Sequence, residues 1–320
     1  MTPSSPRTGP LRIGTRGSPL ALAQAEAVRD ALISAHPDLK GAVEIVVIKT
    51  TGDKILNQAL ATIGGKGLFT KEIDEAMLEG SIDIAVHSMK DVPTWLPDGI
   101  VLPCMTRRED TRDAFISNKV ATLDDLPSGA VVGTAALRRQ AQIKIRRPDI
   151  KIVTFRGNVQ TRLKKLGAGE VDATLLAYAG LKRLGMESVA THVMSENDFL
   201  PAVGQGAVGI TCRTDDKAAH DLLAPLGDAD TYICVSAERA FLAALDGSCR
   251  TPIAAQATIN DGMLSFQGLI AQPDGTDVHR TACDGALGDA IAIGRDAGEG
   301  LKAEAGPDFF AALIEAMEDK

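Results

Sequence analysis

The run Ile82-Asp83-Ile84-Ala85-Val86 is short, apolar and β-branched, and it stops abruptly at His87-Ser88-Met89-Lys90-Asp91-Val92-Pro93. Such a run reads as a strand buried on both faces of a parallel sheet, which requires helices packed above and below it. The polar residues then fall at the carboxyl end of the strand, where open α/β sheets bind ligands. Pro93 cannot extend a ladder and biases Val92 toward an extended backbone, so Lys90 and Asp91 are expected on a loop fixed at both ends. A solvated Lys-Asp pair on a surface turn is the competing reading.

The rest of the chain alternates strand and helix patterns around this run. Residues 11–14 read as a first strand, followed by a helix to about Ala35 with Ser18 as N-cap and Pro19 at the first helical position. The start of that helix, beside Arg16, is a ready anion seat. Residues 43–49 form a second strand, 50–66 a long polar connection leading into Gly64-Gly65-Lys66-Gly67, 69–79 a helix stopped by Gly80, and 100–105 a further strand. The wholly polar run Thr106–Asp113 is the best candidate for a crossing between domains. Beyond it come strands at 131–134, 152–155 and 171–176, with helices from about Ala135, at 158–166 and at 179–184, so βαβ units and a second parallel sheet are expected.

The two halves resemble one another: Gly14-Thr15 and Gly133-Thr134 each open a helix, and Ile82-Asp83 and Val171-Asp172 each open a strand. Chance similarity of short motifs competes with a true match. Similar lobes facing each other would place helix N-termini on both walls of one cleft, as in two-lobed anion-binding proteins. From Asp228 the pattern changes to a long helix through Leu245, a loop Asp246–Pro252, a hairpin 253–271 turning at Asn260-Asp261-Gly262, a third strand at 277–283 and a helical C-terminus. With 320 residues the chain exceeds a single core. The expected fold is α/β: lobe 1 from 11–106 and 205–225 and lobe 2 from 112–200, both resembling type II periplasmic binding proteins around a cleft, plus a smaller C-terminal α+β domain, 228–318, with a three-stranded antiparallel sheet.

Net charge is −8, and aromatic residues make up only 3%, which together argue against nucleic acid as a partner. Yet from Arg138 to Lys165 ten basic residues face the single acid Asp149, a local charge of +9. A segment so opposed to the sign of the whole suggests a seat for a polyanion, although a solvated helix face is the plainer alternative. Gly204-Gln205-Gly206-Ala207-Val208-Gly209 matches G-x-G-x-x-G, but the segment runs on as a strand instead of opening a helix, so a dinucleotide site is rejected in favour of a crossover back to lobe 1.

The five cysteines are scattered and lack C-x-x-C spacing, so neither a disulfide framework nor a zinc site is expected, and the compartment reads as reducing. The N-terminus has no apolar signal region, no run reaches membrane-spanning length, and the expected location is the cytoplasm. Cys249 stands apart on a polar loop beside Arg250, where exposure and a cation lower a thiol's pKa; a covalent attachment point and an inert loop thiol both remain open on local sequence.

Six motifs occur here in the order and at about the spacing of the hydroxymethylbilane synthase (porphobilinogen deaminase) family, and the resemblance covers about 11–315. They are Thr15-Arg16-Gly17-Ser18-Pro19-Leu20-Ala21, Gly64-Gly65-Lys66-Gly67-Leu68-Phe69, His87–Pro93, Leu137-Arg138-Arg139-Gln140, Phe155-Arg156-Gly157-Asn158-Val159 and Gly247-Ser248-Cys249. The resemblance implies a monomeric transferase of tetrapyrrole and heme biosynthesis. Such an enzyme joins four porphobilinogen molecules head to tail with loss of ammonia, on a dipyrromethane cofactor linked by a thioether to Cys249, and then releases linear hydroxymethylbilane. It further implies catalytic roles for Asp91, Lys90 and Arg16, and cofactor contacts from Ser18, Lys90, Asp91, Thr134, Ala136, Arg138, Arg139, Gly157 and Asn158. Substrate contacts are implied for Arg16, Arg156, Arg162, Arg183, Lys66 and Phe69, with no metal, nucleic acid or membrane.

The residue types suit that chemistry. Each porphobilinogen carries an acetate and a propionate, and guanidinium forks match carboxylates. Loss of ammonia leaves a cationic azafulvene, whose charge a fixed carboxylate can stabilise. Three departures stand out: Ala135-Ala136 where the family usually has Ser-Ser, Gln160 for a frequent glycine, and Ser248 for a second glycine. A two-lobed anion-binding module without catalysis is the alternative function, and it does not explain Cys249.

Overall fold

The computed structural model describes residues 9–54, 67, 69–247 and 251–318, with the backbone alone at positions 53, 54, 317 and 318. The chain divides into two compact units, which among the described residues comprise 9–54, 67, 69–109 and 207–232, and then 110–206, 233–247 and 251–318.

The first unit holds β1 (Leu11–Thr15), α1 (Pro19–Ala35), β2 (Val43–Val47), α2 (Thr51–Lys54), α3 (Lys71–Leu78), β3 (Ile84–Ser88) and β4 (Ile100–Met105). The second continues with β5 (Asp113–Ser117), β6 (Val131–Gly133), α4 (Leu137–Arg146), β7 (Lys151–Val153), α5 (Val159–Gly167), β8 (Ala173–Ala177), α6 (Tyr178–Arg183) and β9 (His192–Val193). The chain then returns to the first unit for β10 (Val208–Arg213) and α7 (Lys217–Leu223), and α8 (Ala229–Ala244) leads back into the second. There β11 (Ile253–Asn260), β12 (Met263–Ala271), β13 (Val278–Ala286) and α9 (Ala290–Glu318), broken at Gly306, complete the chain.

Two five-stranded sheets share one plan. The first has the order β2-β1-β3-β10-β4, with β1 parallel to β2 and β3, and with β10 antiparallel to β3 and β4. The second has β7-β6-β8-β5-β9, with β6 parallel to β7 and β8, and with β5 antiparallel to β8 and β9. Both sheets are therefore mixed, which corrects the expectation of parallel sheets: the strand arriving from the other unit inserts antiparallel beside the third strand. For the same reason β3 runs on through Ser88, because Gly209 and Val208 of β10 pair with His87 and Ser88. The Gly204–Gly209 segment does enter a strand, as the rejection of a dinucleotide site requires.

Helix α1 forms because apolar residues recur on one face: Ala25, Val28 and Leu32 are buried against Leu11, Ile13 and Ile84. Fully burying one such Val or Leu stabilises by about 1.5–3 kcal/mol. The C-terminal sheet, order β11-β12-β13, is antiparallel, and its first hairpin turns on Asp261 and Gly262, with φ of +50° and +78°, the left-handed pair a two-residue hairpin loop demands. Its core joins Phe241 of α8 to Phe266, ring centroids 5.2 Å apart. Another face of this sheet, with Ala254, Leu269 and Ala271, packs on Ala141 of α4 and on Leu200, so α4 is held from behind by the C-terminal sheet. Among the described residues no helix is long and apolar enough to cross a membrane.

Candidate active site

In the first unit the expected residues collect at the carboxyl ends of β1 and β3. Arg16 follows β1 directly, and its guanidinium carbon lies 4.2 Å from the centroid of the Phe69 ring, a cation–π contact reaching the approach to α3. Ser18 is extended at the N-cap of α1, where its Oγ accepts from Ala21 N at 3.3 Å. After β3, Met89–Asp91 makes a single tight turn in which Val92 N donates to the Met89 carbonyl (3.2 Å) and Met89 N to the Ala207 carbonyl (3.0 Å). Met89 and Val92 are buried, whereas Lys90 and Asp91 are half-buried. Asp91 thus rides on a turn pinned at both ends, as its sequence context predicts.

Two neighbours complete this half. The Ser88 hydroxyl and the Gln24 side-chain amide are 2.9 Å apart. His87 is buried with Nε2 3.1 Å from Thr211 Oγ1, and burial, then the charge of Arg16, push its pKa down to about 4. The imidazole is therefore neutral near pH 7 and adds no second charge beside Arg16.

In the second unit the residues again lie where β6, β7 and β8 end. Thr134 Oγ1 accepts from Ala136 N at 3.2 Å, and Ala136 stands extended at the N-cap of α4 without a side-chain cap. Beyond β7 come Arg156, half-buried with its pKa lowered by burial, then Gly157 at φ +129°, then Asn158, whose Oδ1 accepts from Thr161 N (2.8 Å) to cap α5. Arg162 is half-buried on α5, and Arg183 on α6 donates from Nη2 to the Gly206 carbonyl at 2.7 Å.

Arg138 and Arg139, only 5% and 6% exposed, are the most enclosed of these cations. Arg138 Nη1 donates to the Leu200 carbonyl (2.7 Å) and its Nη2 meets Asp113 Oδ2 (2.8 Å), while Arg139 Nη1 donates to the Leu175 carbonyl (2.9 Å) and its Nη2 to Asp113 Oδ1 (2.8 Å). Burial alone would raise the Asp113 pKa, but the two guanidinium groups hold it well below the usual carboxylate range. Asp113 is the residue that sequence reasoning passed over. It closes the polar run Thr106–Asp113, and the available signal was the apolar Ala114-Phe115-Ile116 that follows it, a strand not read from the sequence.

The basic segment is less of a polyanion seat than its charge suggests. Arg146 is bound by Asp124 (Nε–Oδ1 2.6 Å), Arg147 by Asp149 (2.8 Å) and by the Leu126 carbonyl (2.8 Å), and Lys144 donates to the Pro148 carbonyl (2.9 Å). These three residues fasten the end of α4 to neighbouring loops. Lys66 and Cys249, with most of the Gly64–Leu68 loop, lie outside the described residues. No cluster of three or more potential metal ligands occurs among the described residues.

Two mixed sheets whose carboxyl ends carry arginines, one lysine and one carboxylate on a pinned turn make this an α/β protein with its charged side chains gathered at strand ends. The chain matches the model for "Porphobilinogen deaminase, dipyromethane cofactor binding domain" over residues 11–221 and the one for "Porphobilinogen deaminase, C-terminal domain" over 232–303. It is 59% identical over 308 residues to the chloroplastic porphobilinogen deaminase of Oryza sativa subsp. japonica, covering 95% of this chain and 86% of that one. To the porphobilinogen deaminase of Nitrobacter hamburgensis it is 55% identical over 298 residues, covering 93% and 94%. This chain belongs to the porphobilinogen deaminase family. Among solved structures, the methionine binding protein MetQ aligns with a TM-score of 0.44 at 15% identity, covering 69% of this chain and 91% of that one.

The residues fit the cofactor of the family. Asp113 offsets only one of the two buried guanidinium charges, and Arg139 Nε has no hydrogen-bond partner among the described residues. A desolvated cluster with one surplus positive charge and an unfilled donor suits a carboxylate.

Proposed function

We propose that the chain is a hydroxymethylbilane synthase, a transferase that condenses four porphobilinogen molecules head to tail with release of ammonia and then frees the linear hydroxymethylbilane by hydrolysis, water supplying its hydroxyl. The observation that carries this reading is Asp91 on its pinned turn, a lone carboxylate at the end of β3, in a chain that matches one enzyme family over both of its parts. Its primer is dipyrromethane joined by a thioether to Cys249, which falls in sequence between α8 and β11. When bound, that group supplies the pyrrole carbon from which the chain grows.

Each residue then has a role that follows from its chemistry. Asp91 balances the positive charge the substrate develops as ammonia departs, and accepts hydrogen bonds from pyrrole N–H groups. Arg16 and Lys90 keep substrate carboxylates in place beside it, and His87 stays neutral behind them. Ser18, Lys90 and Asp91 on the first sheet, and Thr134, Ala136, Arg138, Arg139, Gly157 and Asn158 on the second, hold the primer. Arg156, Arg162, Arg183, Lys66 and Phe69 receive incoming substrate. The four described cysteines are unbridged, and the proposed setting is a monomer in a reducing compartment such as the cytoplasm.

Mass measurement of the denatured, reduced protein tests the proposal. Fresh enzyme is expected to exceed its sequence mass by two porphobilinogen units less two ammonias, and Cys249→Ser to lack that increment, since a hydroxyl is far less nucleophilic than a thiolate. An unmodified mass on fresh, active enzyme would overturn the covalent primer, and an unmodified protein without turnover would leave the anion-binding module as the better reading.

A further inference from the structure

Asp113 lies behind the arginine pair and is itself held from a third side. Gln205, fully buried, donates from Nε2 to Asp113 Oδ1 (3.0 Å) and to the Thr111 carbonyl (2.6 Å). Thr111 and Gln205 lie close to two of the points, 109/110 and 206/207, at which the chain passes between its compact units. The carboxylate is therefore fixed to both crossing segments while its two oxygens face two different guanidinium groups. Nearby acids are already engaged: Asp110 is gripped by Arg112 (Nη2–Oδ2 2.6 Å), and Glu196 Oε1 accepts from the Thr111 hydroxyl (2.6 Å). Neither lends its charge to the pair without breaking its own contact.

We propose that Asp113 is the positioning residue of the site: it holds the Arg138 and Arg139 guanidinium groups on a common anchor, and fixes the charge of the cluster at one positive unit, so that it takes one ligand carboxylate at a time. A lone arginine pair would repel itself and bind anions without order, whereas a pair with two nearby carboxylates would bind none. One internal anion for two cations leaves room for one external anion, and Arg139 Nε supplies a donor for it. The inference rests on the porphobilinogen-condensing reading, which the primer mass and wild-type turnover establish separately.

The test compares wild type, Asp113→Asn and Asp113→Glu as full-length, primer-loaded proteins, with porphobilinogen turnover measured against sodium acetate at constant ionic strength and thermal midpoints recorded alongside. Asp113→Asn keeps the size and one acceptor but raises the cluster to two positive charges. Its kcat is expected to fall at least tenfold while acetate becomes an inhibitor at least fivefold stronger than on wild type. Asp113→Glu restores the charge on a longer arm, so acetate inhibition is expected to return to within twofold of wild type with kcat still lowered. A merely structural role predicts parallel losses of stability and turnover in both variants with acetate inhibition unchanged, and that result would overturn the proposal. If Asp113→Asn does not fold, Asp113→Ser, which also removes the charge, takes its place: acetate inhibition at least fivefold stronger than on wild type is expected, and unchanged acetate inhibition would overturn the positioning role.

Discussion

In the first sheet Asp83 N donates to the Arg12 carbonyl (2.9 Å) and Asp83 Oδ2 accepts from Arg12 N (2.8 Å); in the second, Asp172 makes the same ring with Val131 (2.8 and 2.7 Å). Each aspartate also meets a cation carried on or just past the antiparallel neighbour strand, Arg213 at 3.6 Å and Lys119 respectively. Registers agree as well, since Gly14 pairs with Ala85 as Gly133 pairs with Thr174. At both glycines a Cβ would stand within 2.6 Å of a side chain, at Gly14 the tip of Ile82, which would have to turn aside, and at Gly133 the ring and Cβ of Phe155, where only glycine fits. The scaffolds are thus alike down to single hydrogen bonds. Where they part is the end of the third strand: His87-Ser88-Met89-Lys90-Asp91 in the first sheet, Leu176-Ala177-Tyr178-Ala179-Gly180 in the second. Opposite that end stands Val208 in the first and Asp113 in the second. One sheet carries a half-buried carboxylate on the turn after its third strand and the other buries one behind its arginines, so under the proposed function reaction and binding divide between two copies of one frame.

That division is broken most directly at Asp91. Asp91→Asn is expected to keep the fold and the primer and to lower kcat by on the order of 10³-fold, because a neutral amide cannot balance a developing cation. Turnover within tenfold of wild type, in a protein carrying its full primer mass, would remove the asymmetry on which the comparison rests.

On the binding side, Arg138→Leu and Arg139→Leu are expected to reduce primer content and to destabilise by about 3–5 kcal/mol, since each breaks a buried ion pair with Asp113. Denaturant midpoints and intact masses read the two effects separately. Arg146→Leu, at an exposed contact with Asp124, is expected to shift stability by less than about 1 kcal/mol and leave the primer untouched. If all three behaved alike, the basic segment would be one solvated face after all.

These contrasts show what local sequence could carry. The hairpin at Asp261-Gly262, the capped start of α1 and the turn bearing Asp91 were legible because a few adjacent residues determine them. The ends of β3 were not: pairing of His87 and Ser88 with a strand some 120 residues later extends a run that hydrophobicity alone ends at Val86. Strand β5 escaped because it opens on a charged residue in a polar run, and Asp113 is buried only because two arginines far along the chain neutralise it. Likewise the +9 segment looks continuous in sequence, whereas folding gives Arg146 and Arg147 to Asp124 and Asp149 and turns Arg138 and Arg139 inward.

A pH series sharpens the comparison on the stability side. His87, with a folded pKa of about 4, takes up its proton first in the unfolded chain, so stability falls as pH drops from about 6.5 toward 4, by on the order of 3 kcal/mol in the limit. Asp74 on α3, pushed up to about 6 by burial, acts oppositely over much of that window, because there the folded state holds the extra proton. Asp113, held low, contributes its stability down to the ordinary carboxylate range and loses it only below. His87→Gln is therefore expected to flatten the acid limb between pH 6.5 and 4 and, if anything, to make stability rise there through Asp74. An unchanged slope in urea midpoints would show that the buried imidazole of the first sheet is not the group that titrates.

The smallest expected effect lies at the helix starts. Helix α1 has Ser18 at its N-cap with Oγ on Ala21 N, and α5 has Asn158 on Thr161 N, but α4 begins at Ala136 with no side-chain cap. Ala136 already has the extended backbone of an N-cap, φ −92° and ψ 114°, and its carbonyl accepts from Gln140 N at 3.0 Å. A serine there needs no backbone change for its Oγ to accept one of the first amide N–H groups of α4. Ala136→Ser is expected to raise the unfolding free energy by about 0.5–1 kcal/mol, read as a higher denaturant midpoint at unchanged slope, and Ser18→Ala to lower it by a similar amount. Were Ala136→Ser instead neutral in the unprimed protein and destabilising once primed, the bare amides at the start of α4 would be engaged by the primer. The missing cap would then be a feature of the binding sheet that the reacting sheet does not share.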